Sequence, residues 1–182
     1  MTILPCELAG LLVIEPKVFG DERGFFLETW NQQRYRDAGI SQEFVQDNLS
    51  FSRRGTLRGL HFQNPNAQAK LVSVLEGEIY DVAVDLRRHS PTFGRWHGLR
   101  LSGDTKRQFY ISAGFAHGFQ VLSPTALFHY KCSAPYSPQD ELAIRWDDPK
   151  LGISWPLPSP ILSPRDAQAP LLREIPKSRL FP

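Results

Sequence analysis

Cysteine is scarce in this sequence, which contains only Cys6 and Cys132, far apart and without a Cys-x-x-Cys pair. A redox motif or a cysteine-based zinc site needs cysteines at close spacing. The sequence therefore indicates neither, and it predicts two reduced cysteines that pack in the interior of a cytoplasmic protein.

Long apolar runs and an excess of one charge are also missing. The apolar run from Leu11 to Ile14 stops at Glu15 and Pro16, which is far too short for a membrane span. The formal net charge is +2, and the basic residues are scattered rather than clustered. The sequence thus predicts neither a membrane nor a nucleic-acid partner, although a small anionic ligand needs only a few well-placed cations.

Helix signals are sparse, whereas β-strand signals dominate. One short helix is predicted from Asn31 to Ala38, with Asn31 near its N-cap and Gly39 closing it. Short strands separated by turn residues are predicted at 11–15, 25–30, 44–52, 56–63, 71–75, 79–86, 96–102, 107–112, 117–122, 126–132 and 142–146.

This pattern predicts one all-β domain over residues 1–182, and a jelly roll suits the number of strands. The stretch 156–182 holds seven of the 15 prolines, so we expect short turns there, with one helical turn near 166–172, packed on the sheet. Glu76-Gly77-Glu78 is predicted to join its two flanking strands as a hairpin. In the second of these strands, Asp81 and Asp85 lie on a mixed face that suits a polar cavity.

Three segments combine titratable residues with glycine or aromatic residues in a way that a plain core does not require: 55–63, 114–119 and 127–131. In the first, His61 and Arg58 point to opposite faces of a regular strand, and Gly59 is a candidate β-bulge that relaxes this parity. In the second, two glycines bracket His117. For His61 and His117, structural and catalytic roles are both open on this basis.

The third segment places Tyr130 on one face of a strand with Phe128 and Cys132, while His129 and Lys131 share the opposite face. We interpret His129 as a structural residue, together with His89 and His97. Tyr130 taken alone is interpreted as a packed aromatic residue whose hydroxyl is hydrogen-bonded.

A metal site can be judged from the same spacing. Jelly-roll proteins of the cupin kind often bind a metal through a His-x-His pair, a nearby glutamate and a distant histidine. Here His61 would be the first histidine of the pair, but Gln63 stands at the position of the second. Lys70 stands where a carboxylate would be needed. His61 and His117 alone make a poor divalent-cation site, so no metal is predicted.

Eight blocks, in order along the chain from about residue 13 to residue 172, closely resemble the dTDP-4-dehydrorhamnose 3,5-epimerase family. They are Phe19-Gly-Asp-Glu-Arg-Gly-Phe-Phe26, Phe44-Val-Gln-Asp-Asn48, Leu57-Arg-Gly-Leu-His-Phe-Gln63, Ser90-Pro-Thr-Phe-Gly94, Gly114-Phe-Ala-His-Gly-Phe119, Asp147-Asp-Pro149, Ile153-Ser-Trp-Pro156 and Leu162-Ser-Pro-Arg-Asp166.

The resemblance implies a cupin-type jelly roll (a double-stranded β-helix) with short peripheral helices, usually assembled as a homodimer. It implies an isomerase that inverts dTDP-4-dehydro-6-deoxy-D-glucose at C3 and then at C5, on the way to dTDP-L-rhamnose. No cofactor and no metal are expected.

The resemblance also implies roles for individual residues. His61 matches the catalytic base, Asp166 its orienting partner, and Tyr130 the acid on the opposite face of the sugar. Lys70 is expected near the keto oxygen, and Tyr136 resembles the aromatic residue that stacks on thymine. The other matched positions are implied to bind nucleotide and sugar: Arg23, Glu28, Gln46, Asp47, Asn48, Arg58, Lys70, His117, Glu141 and Arg165.

Three alternatives stay open at this point. A related cupin would epimerise only C3 or only C5, or isomerise the keto group, on another dTDP-sugar; His61 together with Tyr130 favours double inversion. A non-catalytic sugar-binding jelly roll would need neither Lys70 nor a histidine–carboxylate pair. A metal-dependent oxygenase is disfavoured by Gln63 and Lys70.

Overall fold

The structure is a computed structural model that describes residues 1–182. The strands are β1 Thr2–Pro5, β2 Leu11–Glu15, β3 Val18–Asp21, β4 Gly24–Leu27, β5 Gln46–Arg53, β6 Leu57–Gln63, β7 Lys70–Glu76, β8 Glu78–Asp85, β9 Trp96–Ser102, β10 Gln108–Ile111, β11 Phe115–Val121, β12 Thr125–Cys132 and β13 Glu141–Ala143. The helices are α1 Gln32–Asp37 and α2 Pro164–Ala167, and 3-10 turns follow at Leu172–Glu174 and Lys177–Arg179.

Two antiparallel sheets make up the fold. The first has the order β1-β2-β10-β7-β12-β5, the second has the order β13-β6-β11-β8-β9, and β3 and β4 form a separate hairpin. The largest core cluster joins the sheets, with Val72 and Phe109 from the first and Ile79 and Phe119 from the second. The predicted all-β, cupin-type jelly roll with short helices is confirmed.

Every predicted strand has a counterpart, and residues 96–102 match without an offset. β1 and β3 are additional strands. All four residues of β3 are exposed and pair only with β4, so this strand carries none of the apolar alternation on which the prediction relied. Helix α1 begins after Asn31, whose side chain accepts a hydrogen bond from the amide of Arg34 at 3.1 Å, as predicted for an N-cap.

The predicted hairpin at Glu76-Gly77-Glu78 is wrong. β7 pairs with β10 and β12 in the first sheet, whereas β8 pairs with β9 and β11 in the second. Gly77 has a φ of +82°, and a Cβ there would lie 2.1 Å from the carbonyl oxygen of Thr125. The turn is therefore a tight corner that carries the chain from one sheet to the other.

The outer face of the second sheet is covered by the proline-rich stretch 156–182. Val82 and Val84 of β8 belong to a core cluster with Leu172, Ile175 and Phe181. The predicted helical turn near 166–172 is divided between α2 and the first 3-10 turn. None of the helices is both long and apolar enough to span a membrane.

Candidate active site

A β-bulge brings two predicted site residues to the same side of β6. His61 is opposite His117 of β11, and Arg58 is opposite Phe119, so β6 has one more residue than β11 in this interval. Gly59 has a φ of +120°, and a Cβ on it would lie 2.6 Å from the Cα atom of Gly118. Both β6 and β11 thus need glycine at the point where Gly59 and Gly118 come into contact. The predicted bulge is confirmed, and His61 and Arg58 both line one cavity.

The cavity lies between the two sheets and has two lobes of about 270 Å³ each. His61, Lys70 and Tyr130 line both lobes and stand at their junction. The other lining residues of the first lobe are Gln46, Asn48, Phe62, Gln63, Gln68, Cys132, Tyr136 and Glu141. Those of the second lobe are Ser50, Arg58, His117, Phe119, Phe128, Ser163, Arg165 and Asp166.

His61 and Asp166 form a hydrogen-bonded pair across the cavity wall. The distance from His61 Nε2 to Asp166 Oδ1 is 2.6 Å, and the carboxylate is 4% exposed. Burial raises the pKa of Asp166, but hydrogen bonds from His61 and from the amide of Gly59 outweigh it and lower that pKa below the ordinary value. The ionised carboxylate accepts the Nε2–H proton, which leaves Nδ1 of His61 as the nitrogen that can accept a proton.

Lys70 and Tyr130 face the cavity from the neighbouring strands β7 and β12. The Lys70 ammonium lies 5.9 Å from the centroid of the Tyr130 ring. Burial lowers the pKa of Lys70, although Cys132 and Glu141 act against this, and burial raises the pKa of Tyr130. Tyr130 therefore keeps its proton at neutral pH and can donate it, while Lys70 can interact with an anion in the cavity.

A second histidine–carboxylate pair lies at the wall of the second lobe, which His117 lines. Nε2 of His117 is 3.0 and 2.9 Å from the two carboxylate oxygens of Asp81, which is fully buried. Asp81 comes from the mixed face of β8, which was predicted to suit a polar cavity, but this face does not line the cavity. Asp81 lies behind His117, and Asp85 binds Arg87, Ser90 and Thr92 instead. Asp81 was not assigned a site role from the sequence, because its burial, which requires a partner for the carboxylate, is visible only in the structure.

The rim of the first lobe is held by a polar network around Tyr136. Its hydroxyl donates to Glu141 Oε2 at 2.8 Å, and Arg165 binds the same oxygen. Its backbone amide donates to Gln46 Oε1 at 2.8 Å, and Gln46 donates in turn to Asn48 at 3.0 Å. Tyr136 remains 49% exposed and lines the cavity, so an aromatic side chain is accessible at its mouth.

Three residues expected to bind substrate do not line this cavity. Arg23 is on the exposed β3–β4 hairpin, where it pairs with Asp21, and Glu28 follows β4 and binds Arg34 at 2.9 Å. Asp47 lies between Gln46 and Asn48 on β5, so strand alternation turns it to the opposite face, where its carboxylate binds Lys131 at 2.8 Å.

Several lining residues were missed as site residues in the sequence, notably Ser50, Ser163, Phe119 and Phe128. They are serines and phenylalanines, whose types alone do not distinguish a cavity wall from a turn or a core. Ser163 sits in the block that also contains Arg165 and Asp166, and its hydroxyl caps α2 by accepting from the amide of Asp166 at 3.1 Å. Nowhere in the chain does a group of three or more His, Cys, Asp or Glu side chains suited to a metal ion converge.

Comparison with protein families gives a match over most of the chain. The family described as dTDP-4-dehydrorhamnose 3,5-epimerase matches residues 5–174. The dTDP-4-dehydrorhamnose 3,5-epimerase of Pseudomonas aeruginosa is 56% identical over 163 residues, which cover 88% of this chain and 90% of that protein.

Solved structures agree in fold and in size. The chain superposes with a TM-score of 0.97 on the dTDP-6-deoxy-D-glucose-3,5-epimerase of Legionella pneumophila in complex with dTDP-4-keto-L-rhamnose, at 53% identity, covering 99% of this chain and 97% of that one. A 3′-monoepimerase from Streptomyces bikiniensis in complex with dTDP-quinovose gives a TM-score of 0.87 at 36% identity, covering 93% of this chain and 87% of that one.

Proposed function

Because the chain belongs to the dTDP-4-dehydrorhamnose 3,5-epimerase family, we propose that its cavity converts dTDP-4-dehydro-6-deoxy-D-glucose to dTDP-4-dehydro-L-rhamnose. The observation that carries the proposal is the 2.6 Å hydrogen bond between His61 and Asp166, in a cavity that Lys70 and Tyr130 also line.

The reaction needs three kinds of group. A C–H bond next to a ketone is acidic because its removal leaves an enolate, so catalysis needs a base at the carbon and a positive or donating group at the oxygen. Inversion also needs a proton donor on the opposite face of the ring. The same three groups can act at C3 and at C5, since both carbons flank the C4 ketone.

His61 supplies the base through Nδ1, and Asp166 stabilises the imidazolium that forms. Lys70 stabilises the negative charge on the C4 oxygen while the enolate exists. Tyr130 then donates its phenolic proton to the carbon from the other side, which inverts the configuration. Before the next inversion, His61 releases its extra proton to solvent and the Tyr130 phenolate takes one up from solvent. The sugar therefore occupies the junction of the lobes, where His61, Lys70 and Tyr130 meet. No step requires a metal or a cofactor.

The nucleotide is assigned to the first lobe and its mouth. The exposed ring of Tyr136 offers a stacking surface for thymine, and Gln46 and Asn48 offer amide groups for its polar edge. The guanidinium groups of Arg58 and Arg165 are placed in the second lobe, where His117 is also found, and they supply cationic contacts to diphosphate or sugar oxygens.

The test follows deuterium from solvent into C3 and C5 by NMR, with dTDP-4-dehydro-6-deoxy-D-glucose as substrate. The wild-type enzyme is expected to label both carbons. His61→Asn is expected to label neither, and Tyr130→Phe is expected to lose inversion at C5 more severely than proton exchange at C3. Near-normal turnover by folded His61→Asn would refute the assignment of the base.

A second candidate is epimerisation at C3 alone. It is considered because a 3′-monoepimerase has the same fold, with a TM-score of 0.87 to this chain. The labelling experiment separates the two, because a C3-epimerase incorporates deuterium at C3 while C5 retains its original proton.

A homodimer accounts for the positions of Arg23 and Glu28. The hairpin that carries Arg23 also exposes Phe19, Phe25 and Phe26, which are 53%, 59% and 71% exposed in the single chain. Such an apolar surface is typical of an interface. We therefore assign Arg23 and Glu28 to the cavity of the second copy. The two free cysteines suit a reducing compartment, so we place the enzyme in the cytoplasm.

Mixed dimers test whether Arg23 of one copy completes the cavity of the other copy. A His61→Asn chain retains Arg23, and an Arg23→Ala chain retains His61, so a hybrid dimer of these two inactive variants would contain one complete site. Random mixing is expected to restore about one quarter of wild-type activity, since half of the dimers are hybrid and each has one working site. No recovery on mixing would place Arg23 at its own cavity or outside any site.

A further inference from the structure

Gln63 occupies a position that the epimerisation itself does not use. It lies at the end of β6, two residues after the proposed base His61, and it is 3% exposed. In metal-binding jelly rolls the corresponding place would hold a second ligand, but here an amide stands instead. A buried amide requires hydrogen-bond partners, so its contacts indicate its role.

All the contacts of the Gln63 amide go to loop backbone. Its Nε2 donates to the carbonyl oxygens of Asn66 at 3.0 Å and Pro135 at 3.3 Å, and its Oε1 accepts from the amide of Ser137 at 2.9 Å. Pro135 and Ser137 are the two neighbours of Tyr136. Gln63 therefore holds the backbone on both sides of that single residue.

Tyr136 has little other support from the fold. It lies between β12 and β13, outside any strand or helix, and the residue is 49% exposed. Its backbone amide and its hydroxyl are each held by one side chain of the rim, Gln46 and Glu141. The ring is therefore anchored at its hydroxyl by Glu141, and its direction also depends on how the backbone of residue 136 is held.

We propose that Gln63 is a positioning residue that orients Tyr136 for stacking on the thymine base. It sets the affinity for the nucleotide and takes no part in proton transfer, since both N–H groups of its amide are committed to the loop. This inference rests on the nucleotide-stacking role of Tyr136 in the proposed function.

The first experiment replaces Gln63 with leucine and measures dTDP binding by calorimetry, together with kcat and KM. Aromatic stacking on a base is worth enough that misorienting the ring is expected to weaken dTDP binding about fivefold to tenfold. KM is expected to rise in parallel, with kcat changed by less than about twofold. Gln63→Asn, whose shorter amide falls short of Ser137, is a milder variant expected to give a smaller loss in the same direction.

Gln120 provides a matched control. It is a fully buried glutamine on β11, and its amide also bridges to a loop, donating to the carbonyl of Leu157 and accepting from its amide, both at 2.9 Å. That loop does not carry Tyr136. Gln120→Leu is expected to lower stability by a similar amount and to leave the dissociation constant for dTDP unchanged. Equal weakening by the two variants would reduce Gln63 to a structural role and overturn the proposal.

A double-mutant cycle separates this inference from the proposed function. If Gln63 acts through Tyr136, Gln63→Leu has no further effect on dTDP binding in a Tyr136→Ala background. If Tyr136→Ala weakens binding but Gln63→Leu does not, the positioning role is refuted while stacking stands. If neither variant weakens binding, the stacking role itself is wrong. Additive losses would mean that Gln63 acts independently of Tyr136, which also refutes the proposal.

Discussion

Replacing Asp166 with asparagine would remove the negative charge behind His61 while preserving the shape of the side chain. The carboxylate is 4% exposed and 2.6 Å from Nε2 of His61, so this is a hydrogen bond between a charged group and its partner in a buried setting. The α2 cap should survive, because the amide of residue 166 still donates to Ser163.

The expected loss of kcat follows from the strength of the hydrogen bond between Asp166 and His61. A hydrogen bond to a charged group contributes about 1.5 to 3 kcal/mol. If this stabilisation applies to the imidazolium formed in the transition state, its loss lowers kcat by about 10-fold to 150-fold. An asparagine that donates to Nε2 would also favour the tautomer with a proton on Nδ1, which cannot act as the base, and the loss would then be larger.

The assay is the rate of deuterium exchange at C3, compared between wild type and Asp166→Asn. Asp148→Asn is the control. Asp148 is also a buried carboxylate, and it accepts a hydrogen bond from the amide of Leu172 at 2.7 Å, but it does not line the cavity. An unchanged rate of exchange in Asp166→Asn would refute the reasoning.

Three further outcomes are expected. Hydrogen bonds from Arg87 and two hydroxyl groups overcome the effect of burial and lower the pKa of Asp85 to about 2 from 3.8. This carboxylate therefore adds about 2 kcal/mol of stability, which is present above pH ~4 and lost as the pH falls towards 2. The free energy of urea unfolding of Asp85→Asn should differ from that of wild type at pH 7, and the two values should converge in acid. Gly59→Ala should lose about 1 to 3 kcal/mol of stability and most activity, since its Cβ would meet Gly118, whereas Gly24→Ala, with no atom within 4 Å, should cost less. Dialysis against a chelator should leave turnover unchanged, and recovery of lost activity on adding zinc or iron would contradict this.

The strands were predictable because apolar alternation and turn residues are local signals. The same signals carry no information on which sheet a strand joins, and for this reason the corner at Gly77 was interpreted as a hairpin. β3 was missed because all four of its residues are exposed and it pairs only with β4, so burial imposes no alternating pattern on its sequence. Pairing partners are determined by long-range packing, which periodicity does not report.

More of the candidate site than of the strand pairing was predicted, but the prediction came mainly from the resemblance to a family. Residue types and spacing alone left His61 and His117 open between structural and catalytic roles, and the resemblance to a family supplied the partner Asp166, 105 positions away. Asp81 and Gln63 had no such pointer to a role. Their partners are a histidine on another strand and the backbone of a loop, and such contacts exist only after folding.

The pairing of His61 with Asp166 also has a consequence for the order in which the protein becomes active during synthesis. The base is made with β6, but its carboxylate follows 105 residues later, and at about 5 to 20 residues per second the ribosome needs roughly 5 to 20 s to reach it. Throughout that interval a nascent chain can form early strands yet has no carboxylate behind its histidine. Catalytic competence is therefore one of the last properties the growing chain acquires.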